Sequence, residues 1–107
     1  MRRDVFQAIS DPQRREILGL LGRQRLTVNE IAGQFQISRP AISRHVKILT
    51  ECGLVVTQQV GRQRYCAVRP EKLKAVADWI EPYRQLWEER LDRLDVLLKE
   101  MQAKKEE

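Results

Sequence analysis

The stretch Thr27-Val28-Asn29-Glu30-Ile31-Ala32-Gly33-Gln34-Phe35-Gln36-Ile37-Ser38-Arg39-Pro40-Ala41-Ile42-Ser43-Arg44-His45-Val46-Lys47-Ile48-Leu49 decides the fold, because it holds two helix starts joined by a short turn. Thr27 and Glu30 have the spacing of a capping box, in which the threonine oxygen accepts from the Glu30 amide while the glutamate reaches back to the Thr27 amide. A helix therefore starts at Val28 and buries Val28, Ile31, Ala32 and Phe35, after which Gln36 and Ile37 form a brief turn. Ser38 caps the next helix, which tolerates Pro40 because amides in a first turn have no helical partner. Ile42, Val46 and Leu49 recur at helical spacing on its buried side, leaving Arg39, Ser43, Arg44 and Lys47 on the outer face. Gly53 closes this helix and Leu54 folds back against it.

Upstream, Val5, Phe6 and Ile9 predict a short helix that stops at Ser10-Asp11-Pro12. Asp11 then caps a helix with Pro12 at its first position and Ile17, Leu18 and Leu21 on one face, terminated at Gly22. Gly19 inside it marks either a close approach by a neighbour or an exposed weak point. Downstream, Val55-Val56-Thr57 and Tyr65-Cys66-Ala67-Val68 flank Gly61-Arg62, which reads as a two-stranded hairpin. Pro70 begins a helical tail, where Trp79, Tyr83, Trp87, Leu91, Leu94, Leu98 and Met101 form an apolar stripe. Pro82 predicts an interruption, with a short helix before Trp79, a longer one from about Glu81 to Met101, and frayed ends over Lys104–Glu107.

With 107 residues, 42% of them hydrophobic and 33% charged, the chain suits one compact domain, mainly α with a small β-hairpin. No run is apolar enough to span a membrane, and Met1-Arg2-Arg3-Asp4 leads into Val5 and Phe6 without a secretory pattern, so a cytoplasmic protein is expected. Cys52 and Cys66 form no Cys-x-x-Cys pair, which argues against a zinc knuckle or a disulfide scaffold. The net charge of +5 is uneven: residues 1–69 hold 12 basic and 5 acidic side chains, residues 70–107 hold 8 and 10. The first part suits a polyanion and the second a helix that meets another protein helix.

A helix-turn-helix whose second helix presents Arg39, Ser43, Arg44 and Lys47 fits the major groove of double-stranded DNA. Arginine there can donate two parallel hydrogen bonds to guanine, and serine can reach a base edge or a phosphate. The bland alternative, a solvated helix face, loses ground to the hairpin, where Arg62 and Arg64, with Arg69 nearby, extend the same surface as a wing. A winged helix that binds an acidic protein instead is the competing functional class. His45, beside the buried face, reads as a half-buried helix residue that can touch a phosphate, in preference to a ligand or a pH switch. The two cysteines are either inert packing groups or, given a lowered pKa, oxidant sensors. Trp79, Tyr83 and Trp87 form either a dimer seam or the lining of an effector pocket. Arg14 and Arg15 suit phosphate contacts or structural ion pairs equally. With no phosphate loop, nucleophile elbow or second histidine, neither an enzyme nor a cofactor is expected.

The runs Phe6-Gln7-Ala8-Ile9-Ser10-Asp11-Pro12-Gln13-Arg14-Arg15-Glu16-Ile17-Leu18, Ser38 to Leu49, Cys52-Gly53-Leu54-Val55 and Gly61-Arg62-Gln63-Arg64-Tyr65 resemble the ArsR family of bacterial winged-helix repressors. The resemblance covers residues 4 to about 70 with specific motifs and the tail more loosely. It implies a homodimeric repressor of an imperfect palindrome near its own promoter. The helix holding Ser38, Arg39, Pro40, Ser43, Arg44, His45 and Lys47 would meet DNA together with Arg62 and Arg64. The first and last helices would pair, through Val5, Phe6 and Ile9 and through Trp79, Tyr83, Trp87, Leu91, Leu94 and Leu98. This division implies a single domain over 1–107, with dimerisation helices at 1–10 and about 71–101, the helix-turn-helix at 28–52 and the wing at 55–69. Metal-sensing members carry paired cysteines before the recognition helix, but Leu26 to Ile31 contain no sulfur here. Others bind zinc between their last helices, yet this tail has no histidine, and carboxylates alone select poorly for zinc, so no metal is expected.

Overall fold

The computed structural model describes residues 4–105. Their order is α1 (Val5–Ala8), α2 (Pro12–Leu21), β1 (Leu26–Thr27), α3 (Val28–Ala32), α4 (Arg39–Glu51), β2 (Val55–Val60), β3 (Gln63–Val68), a 3-10 turn (Pro70–Leu73) and α5 (Lys74–Lys105). Residues 1–3 of the expected first helix, and 106–107 of the tail, lie outside the described residues. The chain divides into a body ending at Val76 and a second unit from Ala77 onward.

Each early helix begins where a polar side chain satisfies amides that have no helical partner. Asp4 accepts from the Gln7 amide at 2.9 Å, and Asp11 from the amides of Gln13 and Arg14 at 2.8 and 3.2 Å. Partial burial works against the Asp11 carboxylate, but the Arg14 and Gln13 amides outweigh it and hold its pKa below the usual value. Both halves of the Thr27–Glu30 capping box form, at 3.1 and 2.9 Å. Ser38 accepts from the Ala41 amide at 3.3 Å, with Pro40 in the first turn of α4.

Helix α3 ends at Ala32, sooner than the apolar spacing suggests. Gly33 follows as its C-cap, and turns through Gln34 and Phe35 replace the final helical turn. Phe35 still packs on the core from this turn, so its burial was legible although its backbone was not. Helix α4 ends in a Schellman turn, with the Leu54 amide donating to the Leu49 carbonyl at 3.0 Å and the Gly53 amide to Thr50 at 3.0 Å. Gly53 takes φ +77°, a left-handed conformation that favours glycine, and Leu49 and Leu54 are both fully buried beside it.

The sheet differs from the expected two-stranded hairpin: it has three antiparallel strands in the order β1-β3-β2. Leu26 pairs with Cys66 and Thr27 with Tyr65, while β2 and β3 pair from Val55 with Val68 to Val60 with Gln63. The extra strand is two residues long and its partners lie far along the chain, so no local pattern announces it. At the hairpin tip Gly61 has φ +61° and Arg62 does not have positive φ, as in a type II′ turn. The core gathers Ile17 and Leu21 from α2, Ile31 from α3, Ile42, Val46 and Leu49 from α4, and Leu26, Leu54, Val55 and Cys66 from the sheet and its approach.

The tail also differs from expectation. A single helix runs from Lys74 to Lys105 through Pro82, and includes Lys104 and Lys105. A proline removes one amide donor, but the turns on both sides keep theirs, and Arg84 ties the next turn back across the site. Its guanidinium donates to Glu81 at 2.9 and 2.6 Å and to Glu88 at 2.5 Å. Hydrogen bonding to Arg84 lowers the Glu81 pKa, and the same contact raises that of the arginine.

Two glycines separate the backbone requirements. A methyl group at Gly19 would meet nothing within 4 Å, which identifies the exposed weak point rather than a close approach. Gly19→Ala is expected to raise stability by about 1 kcal/mol in denaturant titration. Gly53→Ala forces a side chain into left-handed backbone and toward the Lys72 side chain, 3.3 Å away, and is expected to lower stability by about 1 to 2 kcal/mol.

Candidate nucleic-acid interface

Burial of Ile42, Val46 and Leu49 sets the orientation of α4, so that Arg39, Ser43, Arg44 and Lys47 are all exposed. These side chains do not all face the same place. Arg39, Ser43 and Lys47 line a cleft of about 480 Å³ whose other wall is the hairpin, including Arg64 and Gln63. Thr27 and Asn29, at the start of α3, complete its floor. Arg44 lies outside this lining on the same helix, and Arg62 stands at the exposed hairpin tip.

Three cations from two elements thus converge on one open cleft, an arrangement suited to a polyanion backbone. Arg39 is not loose within it: its Nε donates to Asn29 Oδ1, joining the first helix of the motif to the second. The two terminal nitrogens of the guanidinium carry donors only, as contact with an anion requires. Asn29 was not singled out from the sequence, where it reads only as an interior position of the capping box.

The hairpin is braced at its middle and its base. Arg25 stacks on the Tyr65 ring at 4.8 Å from its centroid and donates to Gln58 Oε1 at 3.3 Å, linking the segment before β1 to both longer strands. The Arg69 amide donates to the Leu54 carbonyl at 2.8 Å and closes the base of the ribbon.

Other candidates are held differently. Ser38 serves as the cap of α4 and Pro40 occupies its first turn. His45 is half-buried and turned toward α2, with Nε2 3.0 Å from Gln13 Oε1 and Nδ1 3.4 Å from Arg14 Nη1. Arg14 and Arg15 both donate to carbonyls of the α1–α2 corner, Arg14 to Ala8 at 2.6 Å and Arg15 to Ile9 at 2.8 Å. Val5 and Ile9 pack partly on the body's own core, whereas Phe6 is 41% exposed. In the second unit, Trp79, Tyr83, Trp87, Leu91, Leu94 and Leu98 are all exposed, and the rings of Trp79 and Tyr83 lie 5.7 Å apart. Among the described residues, no group of three or more His, Cys, Asp or Glu side chains is arranged to hold a metal. No described helix is long and apolar enough to cross a membrane.

Comparison with known proteins places this geometry in a family. Residues 11–57 match the description "Bacterial regulatory protein, arsR family". The transcriptional repressor SdpR of Bacillus subtilis is 38% identical over 77 residues, covering 72% of this chain and 86% of the relative. The chain belongs to the ArsR family. An arsenical resistance operon repressor of Staphylococcus xylosus is 35% identical over 69 residues, 64% of this chain and 66% of its own length. An ArsR-like transcriptional regulator from Rhodococcus sp. RHA1 superposes with a TM-score of 0.66 at 36% identity, covering 84% of this chain and 85% of that one. This ArsR-family member is accordingly a DNA-binding transcriptional regulator with a winged helix-turn-helix fold.

The thiols of this ArsR-family chain differ in access. Cys66 is 1% exposed at the centre of the sheet, and burial pushes its pKa up, which suppresses the reactive thiolate. Cys52 is half-buried at the end of α4. Cys66 is expected to resist iodoacetamide in the folded protein and to react fully in denaturant, as followed by mass spectrometry. Rapid native labelling at Cys66 would contradict its packing role.

Proposed function

We propose that this ArsR-family regulator is a homodimeric repressor that occludes a promoter by binding an imperfect palindrome. The observation that carries the reading is the cleft between α4 and the hairpin, where Arg39, Lys47 and Arg64 converge beside exposed Ser43. In this reading the two α4 helices enter successive major grooves about 34 Å apart. Arg44 and Ser43 face base edges, and Arg39, Lys47 and Arg64 hold the phosphate backbone on either side of the groove rim. Arg62, at the tip, follows the backbone or the adjacent minor groove.

The dimer seam is assigned to α5 and α1. Trp79, Tyr83, Trp87, Leu91, Leu94 and Leu98 are too many exposed apolar side chains for a solitary helix in water. Together with Ile80, Leu86, Leu97 and Met101 they spread over roughly 140° of the helix at about 100° per residue, wider than a two-helix coiled-coil seam. That width supports packing against more than one helix, with Phe6 and its neighbours Val5 and Ile9 as the second contributor. No metal or other cofactor takes part, and the cytoplasm is the proposed location.

Selection of bound duplexes from a random pool, followed by titration over a salt series, tests the reading. Arg44→Ala is expected to relax preference at one position per half-site by about 1 to 3 kcal/mol. Arg62→Ala is expected to weaken all sequences alike and to reduce the salt slope by about one unit. A purified protein that is monomeric by sedimentation, or selects no sequence, contradicts the proposal.

A further inference from the structure

One polar chain in the body has no part in the cleft: it runs from the end of α1, through Arg14, to His45 on the recognition helix. The Arg14 side chain is 12% exposed. Its Nε donates to the Ala8 carbonyl at 2.6 Å and its Nη2 to the Gln7 carbonyl at 3.2 Å. It thus closes the last turn of α1, whose carbonyls lack helical partners. Its Nη1 points at His45 Nδ1, 3.4 Å away, and lies 4.0 Å from the Asp11 carboxylate. On the opposite edge of the imidazole, Nε2 meets Gln13 Oε1 at 3.0 Å.

The chemistry of these partners fixes the imidazole. A guanidinium has donors only, so Nδ1 must accept, and the Gln13 oxygen accepts, so Nε2 must carry the proton. Both ring nitrogens are then committed to α2, and neither has an N–H left for a phosphate. His45 also sits one residue from Arg44 on the same helix. Side chains reach about 5 to 6 Å from a helix axis, so a roll of about 10° would shift their outer parts by about 1 Å, enough to spoil a bidentate hydrogen bond.

We propose that His45, Arg14 and Gln13 are positioning residues that key the recognition helix to the α1–α2 corner and so set its sequence preference, without touching DNA themselves. This rests on the reading that α4 meets base edges. It assigns to α1, a contributor to the proposed seam, a direct mechanical connection to the helix that faces the groove.

Two experiments test it. In ¹⁵N-labelled protein without DNA, at a pH alkaline enough for the ring to be neutral, long-range nitrogen–proton spectra of His45 are expected to place its proton on Nε2. A proton on Nδ1, or a freely exchanging mixture, overturns the assignment whatever the protein binds. In the second experiment, wild type, Gln13→Ala, His45→Ala and the double variant are titrated with the selected site and with a random duplex across a salt series. Circular dichroism confirms that each variant is folded. Both single variants are expected to lose about tenfold on the selected site while keeping random-duplex affinity and salt slope. The double variant is expected to lose no more than the worse single, since the residues act as one unit. A lower salt slope for His45→Ala with Gln13→Ala neutral would mean a direct phosphate contact and overturn the proposal, as would equal losses on both duplexes. A wild type with no preferred site overturns the reading of α4 and this proposal with it.

Discussion

The packing of one face of α4 governs the rest of the molecule. Ile42, Val46 and Leu49 are buried against residues from α2, α3 and the sheet, and their burial leaves only one orientation for the charged side of the helix. Ser38 defines where the helix begins, and the left-handed turn at Gly53 defines where it ends and sends the chain into β2. Burying an aliphatic side chain contributes roughly 1.5 to 3 kcal/mol, whereas the caps contribute about 1 kcal/mol each. Packing therefore supplies the energy of placement, and the caps supply its accuracy along the axis.

Electrostatics follow from that placement. Exposed cations on α4 and the hairpin share a cleft whose edge also carries Glu51. Elsewhere cations are consumed internally: Arg14 and Arg15 by the corner of α1 and α2, Arg84 by Glu81 and Glu88. The same residue type thus serves polyanion attraction in one region and carbonyl capping in another. A count of basic residues cannot tell these uses apart, and only the direction of the helix face does.

Much of this was legible in the sequence because it is local. The Thr27–Glu30 capping box, the Asp11 and Ser38 caps, the Gly53 turn and the Gly61-Arg62 hairpin tip depend on residues a few positions apart, and each forms as its spacing dictates. What was not legible depends on distant partners or competing costs. Strand β1 exists because Leu26 and Thr27 meet Cys66 and Tyr65. The orientation of His45 depends on Gln13 and Arg14, more than thirty positions upstream. Pro82 interrupts a hydrogen-bond ladder, yet a long helix with intact turns on both sides absorbs the loss of one bond. Asn29, within the capping box, gains its tie to Arg39 only once the turn between α3 and α4 has brought the two together.

The unequal lengths of the three strands have a mechanical consequence. Strand β3 has neighbours on both sides only at Tyr65 and Cys66, because β1 stops there, while Gln63 and Arg64 are paired with β2 alone. The ribbon is therefore held from both sides at its middle, where Arg25 also clamps Tyr65, is closed at its base by the Arg69–Leu54 hydrogen bond, and has only two strands toward Gly61. The outer half, with one pairing partner and no third strand beside it, is the part that can bend at least cost to follow the width of whatever surface it meets.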